Sequence, residues 1–138
     1  MDDSHWLAAK GERDGFLMFL RVRKLPSTEA LESDYPHLLA VTWPFQQTDA
    51  TGLPSTEQYE RLSDYESRVF DPLESSGAGL LTVVCTTRGT VEYFAYVRDV
   101  DLALGQLKAG EAVLSGLEVA VGEDDRWAQY RTVTSALR

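Results

Sequence analysis

The stretch from Gly79 to Arg98 constrains this chain more than any other. Its first half, Leu80 to Thr87, is a run of apolar and β-branched residues. Arg88-Gly89 interrupts it, and Val91 to Arg98 resumes with aliphatic and aromatic residues at most positions. Two such runs around a short glycine-containing break predict a β-hairpin. Both strands carry apolar residues on both faces, so the hairpin belongs inside a sheet, with little of it in open water.

A second hairpin is expected at the N-terminus: a strand at Trp6 to Lys10, a glycine-bounded turn over residues 11–15, and a strand at Phe16 to Arg23. Residues 25–34 form a polar connection with one helical turn at Thr28 to Glu32. Tyr35-Pro36 forces an extended entry into a strand from His37 to Trp43, which Pro44 ends, and Phe45 to Leu53 reads as a loop. Ser55 with Gln58 three residues on is a capping box. Tyr59, Leu62, Glu66, Val69 and Leu73 then follow at spacings of three and four, one face of a helix. Pro72 should end or kink that helix near Phe70. After the central hairpin, Asp99 or Asp101 caps a second helix with Leu102, Ala103, Leu104 and Leu107 facing inward, closed by Gly110. Leu117 to Val121 alternates as a last strand. Glu123-Asp124-Asp125 is an acidic turn, and Trp127 and Tyr130 precede a plain tail.

From Leu38 the order is strand, helix, strand, strand, helix, strand. That is an α+β pattern, a ferredoxin-like split βαβ sandwich whose two helices lie on one face of an antiparallel sheet. The N-terminal β-hairpin extends an edge of that sheet or lies across it. The 138 residues suit a single domain, which at this size buries roughly two-thirds of its unfolded surface. Its parts are residues 1–34 (hairpin and connection), 35–122 (core) and 123–138 (C-terminal extension).

Several short motifs carry a family resemblance: Trp6, Tyr35-Pro36-His37, Trp43, Gly52-Leu53-Pro54, Glu66 within a helix, Gly89 with Tyr96, and Asp124 with Trp127 and Tyr130. Together they resemble the uncharacterised bacterial family "domain of unknown function 695", over nearly the whole chain. That family is similar in turn to the regulator of ribonuclease E activity B, which implies a ferredoxin-like protein acting by binding an enzyme. Members usually carry an arginine two places after the hairpin glycine; here Val91 stands there, with Glu92 next. The resemblance implies no catalytic residues.

Charge narrows the partners. With 22 acidic against 13 basic residues the formal charge is −9, which disfavours nucleic acid and anionic lipid and favours a basic protein partner. No apolar run approaches the ~20 residues of a membrane span, and Met-Asp-Asp-Ser-His lacks the flank of a signal peptide. The lone Cys85 allows no internal disulfide and suits a reducing compartment, so a bacterial cytoplasm is the expected location.

No catalytic constellation assembles. His5 and His37 have no partner at ligand spacing, so neither metal nor other cofactor is expected. Cys85 shares a strand face with Leu81 and Val83 and reads as a small core residue. Glu66 falls on the apolar stripe of its helix, and a buried carboxylate there demands a partner such as Arg21, Arg98 or Arg131. On the last central strand Glu92, Phe94, Tyr96 and Arg98 share one face, and Thr82, Thr86 and Thr42 join it. The expectation is a sheet face that meets a protein partner or a second copy, unless the N-terminal hairpin or the Trp127–Tyr130 segment covers it. The function expected is therefore a non-catalytic protein-binding or regulatory module, such as an inhibitor or immunity-type protein for a basic enzyme. The competing reading is a small-molecule-binding domain or minor enzyme with a pocket beside the Phe45–Leu53 loop, near Trp43 and His37.

Overall fold

A computed structural model describes residues 6–25, 27–47, 50–114 and 116–137; His5 lies outside them. The chain forms β1 (Trp6–Arg13), β2 (Phe16–Arg23), α1 (Glu29–Asp34), β3 (His37–Pro44), α2 (Thr56–Ser75), β4 (Gly79–Thr87), β5 (Thr90–Val97), α3 (Val100–Ala109), β6 (Glu118–Glu123), a 3-10 turn at Asp125–Trp127 and α4 (Ala128–Ala136). The strands make one six-stranded sheet in the order β1-β2-β4-β5-β3-β6, antiparallel throughout. The fold is thus an α+β sandwich. In it β5 lies between β3 and β4, and β3 lies between β5 and β6, so the β3–α2–β4 and β5–α3–β6 units interleave. The N-terminal hairpin extends the sheet from the β4 side through Val22↔Val83 and Leu20↔Cys85.

Both hairpins turn on two residues with positive φ, Asp14-Gly15 and Arg88-Gly89. This geometry matches the right-handed twist of the flanking strands. The tight Asp14-Gly15 turn lets β1 run on to Arg13, past the end at Lys10 that the sequence suggests.

α2 and α3 lie on one face, as expected. Leu62, Tyr65, Val69, Phe70 and Leu73 of α2 and Ala103 and Leu107 of α3 pack with Leu39, Val41, Leu81, Tyr93 and Val97 of the sheet. The capping box is present: the Gln58 backbone N–H donates to Ser55 Oγ at 3.2 Å and the Ser55 N–H to Gln58 Oε1 at 2.7 Å. Three local expectations are corrected. α2 runs through Pro72 to Ser75, because a proline in the last turn removes just the bond to the Arg68 carbonyl. The buried stripe of α2 is rotated: Tyr65 is buried and Tyr59 is half-exposed. On α3, Leu102 is 44% exposed, since it sits on the outer side of the first turn behind the Asp99 cap, whose carboxylate accepts from the Leu102 N–H.

The tail after Glu123 differs most from expectation. It folds into α4, which with α1 covers part of the opposite sheet face. Trp127 and Tyr130 form a second core with Val22, Val83 and Tyr96, bordered by Leu31, Tyr35, Leu38, Leu80, Phe94 and Val133. The missed signal is legible in hindsight: Trp127, Tyr130, Val133 and Leu137 recur at spacings of three and four, one apolar helix stripe. Among the described residues no helix is long and apolar enough to cross a membrane.

Candidate functional site

A β-bulge decides which side chains face which way on the central hairpin. Leu81 pairs with Ala95, but Val83 pairs with Phe94, so Thr82 is the extra residue and its hydroxyl donates to the Phe94 carbonyl at 3.0 Å. One inserted residue inverts the alternation beyond it. Leu81 therefore joins the α2/α3 core while Val83 joins the core under α4. Cys85, two residues on and opposite Glu92, lies with Val83 and not with Leu81.

The bulge also splits the residues predicted to form one surface. Thr86 pairs with Val91 and lines a cavity beneath α2, away from Phe94. Thr82 is fully buried. Tyr96 is buried too: its ring stacks on Trp127, centroids 4.1 Å apart and planes 9° from parallel. Its hydroxyl donates to Asp124 Oδ2 at 2.6 Å and accepts from the Tyr130 N–H at 3.3 Å. Burial, then the Asp124 carboxylate, pushes the Tyr96 phenol up. Three of the six predicted contact residues are thus structural, because α4 and the bulge claim them. Arg98 is exposed and lies over the Tyr35 ring at 5.1 Å.

Glu92 and Phe94 remain as partly exposed members of that surface, with neighbours on the adjoining strands. Strand register aligns Phe94 with Ala40 and Ala40 with Ala120, and Glu92 with Thr42 and Thr42 with Glu118. These two rows run across β5, β3 and β6, and every residue in them is partly or fully exposed. Arg13 reaches Glu92 at 3.5 Å, a half-solvated pair of small energetic weight.

Beneath α2 the sheet carries two arginine–glutamate pairs. Arg21 pairs with Glu66, and Arg23 pairs with Glu74 at 2.5 Å while its Nε donates to the Leu81 carbonyl at 3.1 Å. The Trp6 ring lies 5.2 Å from the Arg21 guanidinium and 4.7 Å from that of Arg23. Of the three arginines weighed for Glu66, Arg21 holds it; Arg131 pairs with Glu32 at 2.5 Å instead. The second pair went unread, although Arg21 and Arg23 alternate on one strand face and Glu66 and Glu74 sit eight residues apart on one helix. Burial raises the Glu66 carboxyl pKa against the opposing pull of Arg21. The Tyr93 phenol is raised well above its ordinary value by burial and then by Glu66.

A cavity of about 230 Å³ adjoins this cluster, lined by Arg21, Tyr59, Glu66, Thr86 and Tyr93 among others. A more open one of about 510 Å³ lies between β2 and α4, with Leu7, Leu25 and Leu137 facing Thr28, Tyr130 and Arg131. Neither is lined by the Phe45–Leu53 loop. That segment instead folds onto the central turn: the Phe45 N–H donates to the Gly89 carbonyl at 2.8 Å and the Gly89 N–H to the Gly52 carbonyl at 2.9 Å. Its residues Thr48 and Asp49 lie outside the described ones. His37 and Trp43 stand at opposite ends of β3, about 20 Å apart at strand rise, so they cannot converge on one small ligand. Cys85 and Glu66 lie on opposite sides of the sheet, and among the described residues no group of three or more His, Cys, Asp or Glu could hold a metal ion.

Comparison with known proteins gives one match. A family model described as a family of unknown function, DUF695, matches residues 4–133. No curated protein and no solved structure matches the chain.

Proposed function

We infer that this chain, which belongs to the DUF695 family of unknown function, acts as a non-catalytic protein-binding or regulatory module. Its partner is a basic protein of the bacterial cytoplasm, and occlusion of an enzyme by an inhibitor or immunity-type protein is the specific form. The observation that carries this reading is the open end of the sheet face beyond α4. There the Phe94–Ala40–Ala120 row offers apolar surface, and the Glu92–Thr42–Glu118 row beside it carries two carboxylates. Apolar contact with an acidic border suits a partner of opposite charge, and the −9 net charge speeds its approach. Among the described residues the cysteine, Cys85, is buried on the side of the sheet opposite Glu66, which supports the non-catalytic half of the reading.

The test is affinity capture from a bacterial lysate followed by identification of the retained protein, with wild type and a Phe94→Asp/Glu92→Arg variant compared. The reading requires one predominantly basic protein, retained by wild type, released by raised salt, and lost from the variant. Capture that is indifferent to both salt and the substitutions refutes it. The competing small-molecule reading moves from the Phe45–Leu53 loop to the 230 Å³ cavity, where Arg21, Glu66 and the Tyr93 hydroxyl stand together. A ligand found there that raises the melting temperature of wild type but not of Thr86→Val would favour it.

A further inference from the structure

We propose that the β6 edge is a strand-addition site for an extended segment whose ends are basic and whose centre is apolar. This rests on the protein-binding reading above and names the mode of attachment. β6 is the last strand of the sheet, and among the described residues it is hydrogen-bonded to β3 alone of the strands, so its outer side presents backbone groups outside the sheet ladder. All six residues from Glu118 to Glu123 are exposed, including Val119 at 44% and Val121 at 42%. Exposed edges are ordinarily protected by lysine, proline, a bulge or a covering element. The other edge, β1, carries Lys10 and Arg13. β6 has no lysine, proline or register break, and among the described residues no element covers it.

Charge selects the occupant. The strand reads Glu-Val-Ala-Val-Gly-Glu, and Asp124 and Asp125 follow it. A second copy aligned antiparallel on this edge would bring its own Glu118, Glu123, Asp124 and Asp125 alongside these and offer no opposite charge at either end. The −9 charge of each copy opposes self-association further. A foreign antiparallel strand meets the reverse situation. Its first residue faces Glu123, its third Val121, its fifth Val119 and its sixth Glu118. Basic residues at the first and sixth positions and β-branched residues at the third and fifth therefore complement every side chain of the edge except Ala120 and Gly122. Backbone hydrogen bonds would supply the affinity and these four positions the specificity.

The probe is the capped peptide acetyl-Lys-Thr-Val-Thr-Val-Lys-amide, titrated into isotopically labelled protein and followed by amide chemical shifts, with a charge-swapped peptide bearing Glu at both ends as control. The proposal expects saturable shifts on residues 118–123 and protection of their amides from exchange. It expects binding weakened about three- to tenfold in Glu118→Lys/Glu123→Lys, and no binding by the control peptide. Binding should vanish in Val121→Lys, which alters a side chain already in water. No shift on β6 at millimolar peptide, or equal binding of both peptides, overturns strand addition. So does a dimer in sedimentation that Val121→Lys dissolves, since the occupant would then be a second copy. If lysate capture succeeds and depends on Phe94 yet is unchanged in Glu118→Lys/Glu123→Lys, strand addition fails while the protein-binding reading stands.

Discussion

Replacing Trp127 with alanine should remove a large share of this protein's stability. The indole is fully buried, stacked on Tyr96 and edge-on to Tyr130 at 5.8 Å. Its Nε1–H donates to the Tyr35 carbonyl at 2.9 Å, tying α4 to the entry of β3. Truncating a buried tryptophan to alanine costs about 3–5 kcal/mol, and leaving the Tyr35 carbonyl without its donor adds to that. Against a total of roughly 5–15 kcal/mol this is a severe loss. With a urea slope of about 2 kcal/mol/M, the midpoint should fall by roughly 2 M, read by far-UV circular dichroism so that the lost fluorophore does not matter. Trp127→Phe keeps most of the apolar contact and loses the donor, so its midpoint should lie between the two. Leu102→Ala is the control: at 44% exposure it should change stability by less than about 0.5 kcal/mol. A Trp127→Ala midpoint within about 0.5 M of wild type at unchanged slope would refute the claim that the Trp127 core holds α4 against this face.

Glu66 gives a pH prediction with a definite sign. Its folded carboxyl lies above the ordinary 4.5, chiefly because it is buried. The associated stability is present below the unfolded value and is lost as pH rises through the folded one. The stability of Glu66→Gln relative to wild type should therefore increase with pH just above 4.5, measured by denaturant titrations at several pH values; the opposite slope would mean that Arg21 outweighs burial. Gly110→Ala should destabilise by about 1–3 kcal/mol, since a Cβ there would lie 2.6 Å from both Tyr65 Cε1 and Val69 Cγ2; thermal unfolding reads the loss. Arg126, at φ 55°, occupies left-handed backbone that asparagine tolerates better. Arg126→Asn should thus raise stability by roughly 0.5 kcal/mol, visible as a small rise in melting temperature.

Local chemistry was legible in the sequence because its causes are local. The Arg88-Gly89 turn, the Ser55–Gln58 capping box, the Asp99 cap and the alternating strands each depend on residues within a few positions of one another. Their order was enough to place α2 and α3 on one face, since crossover handedness leaves little choice. The Glu66 pair was legible as a demand, because a buried carboxylate must be matched; that Arg21 meets it depended on β2 lying beside β4, two strands away from β3.

What only the tertiary structure decided follows from two events whose consequences rest on contacts distant in the chain. The bulge at Thr82 adds a single residue, and one residue is enough to send Thr86 beneath α2 and Cys85 away from it. Residues 128–136 become a helix whose apolar stripe has value chiefly against Tyr96 and Val22, side chains distant in the chain. Together they bury half of the surface that alternation alone would leave to a partner. The exposed part of the face expected to bind contracts to the rows ending at β6 because burial is settled by what folds onto a strand, which period and composition do not encode.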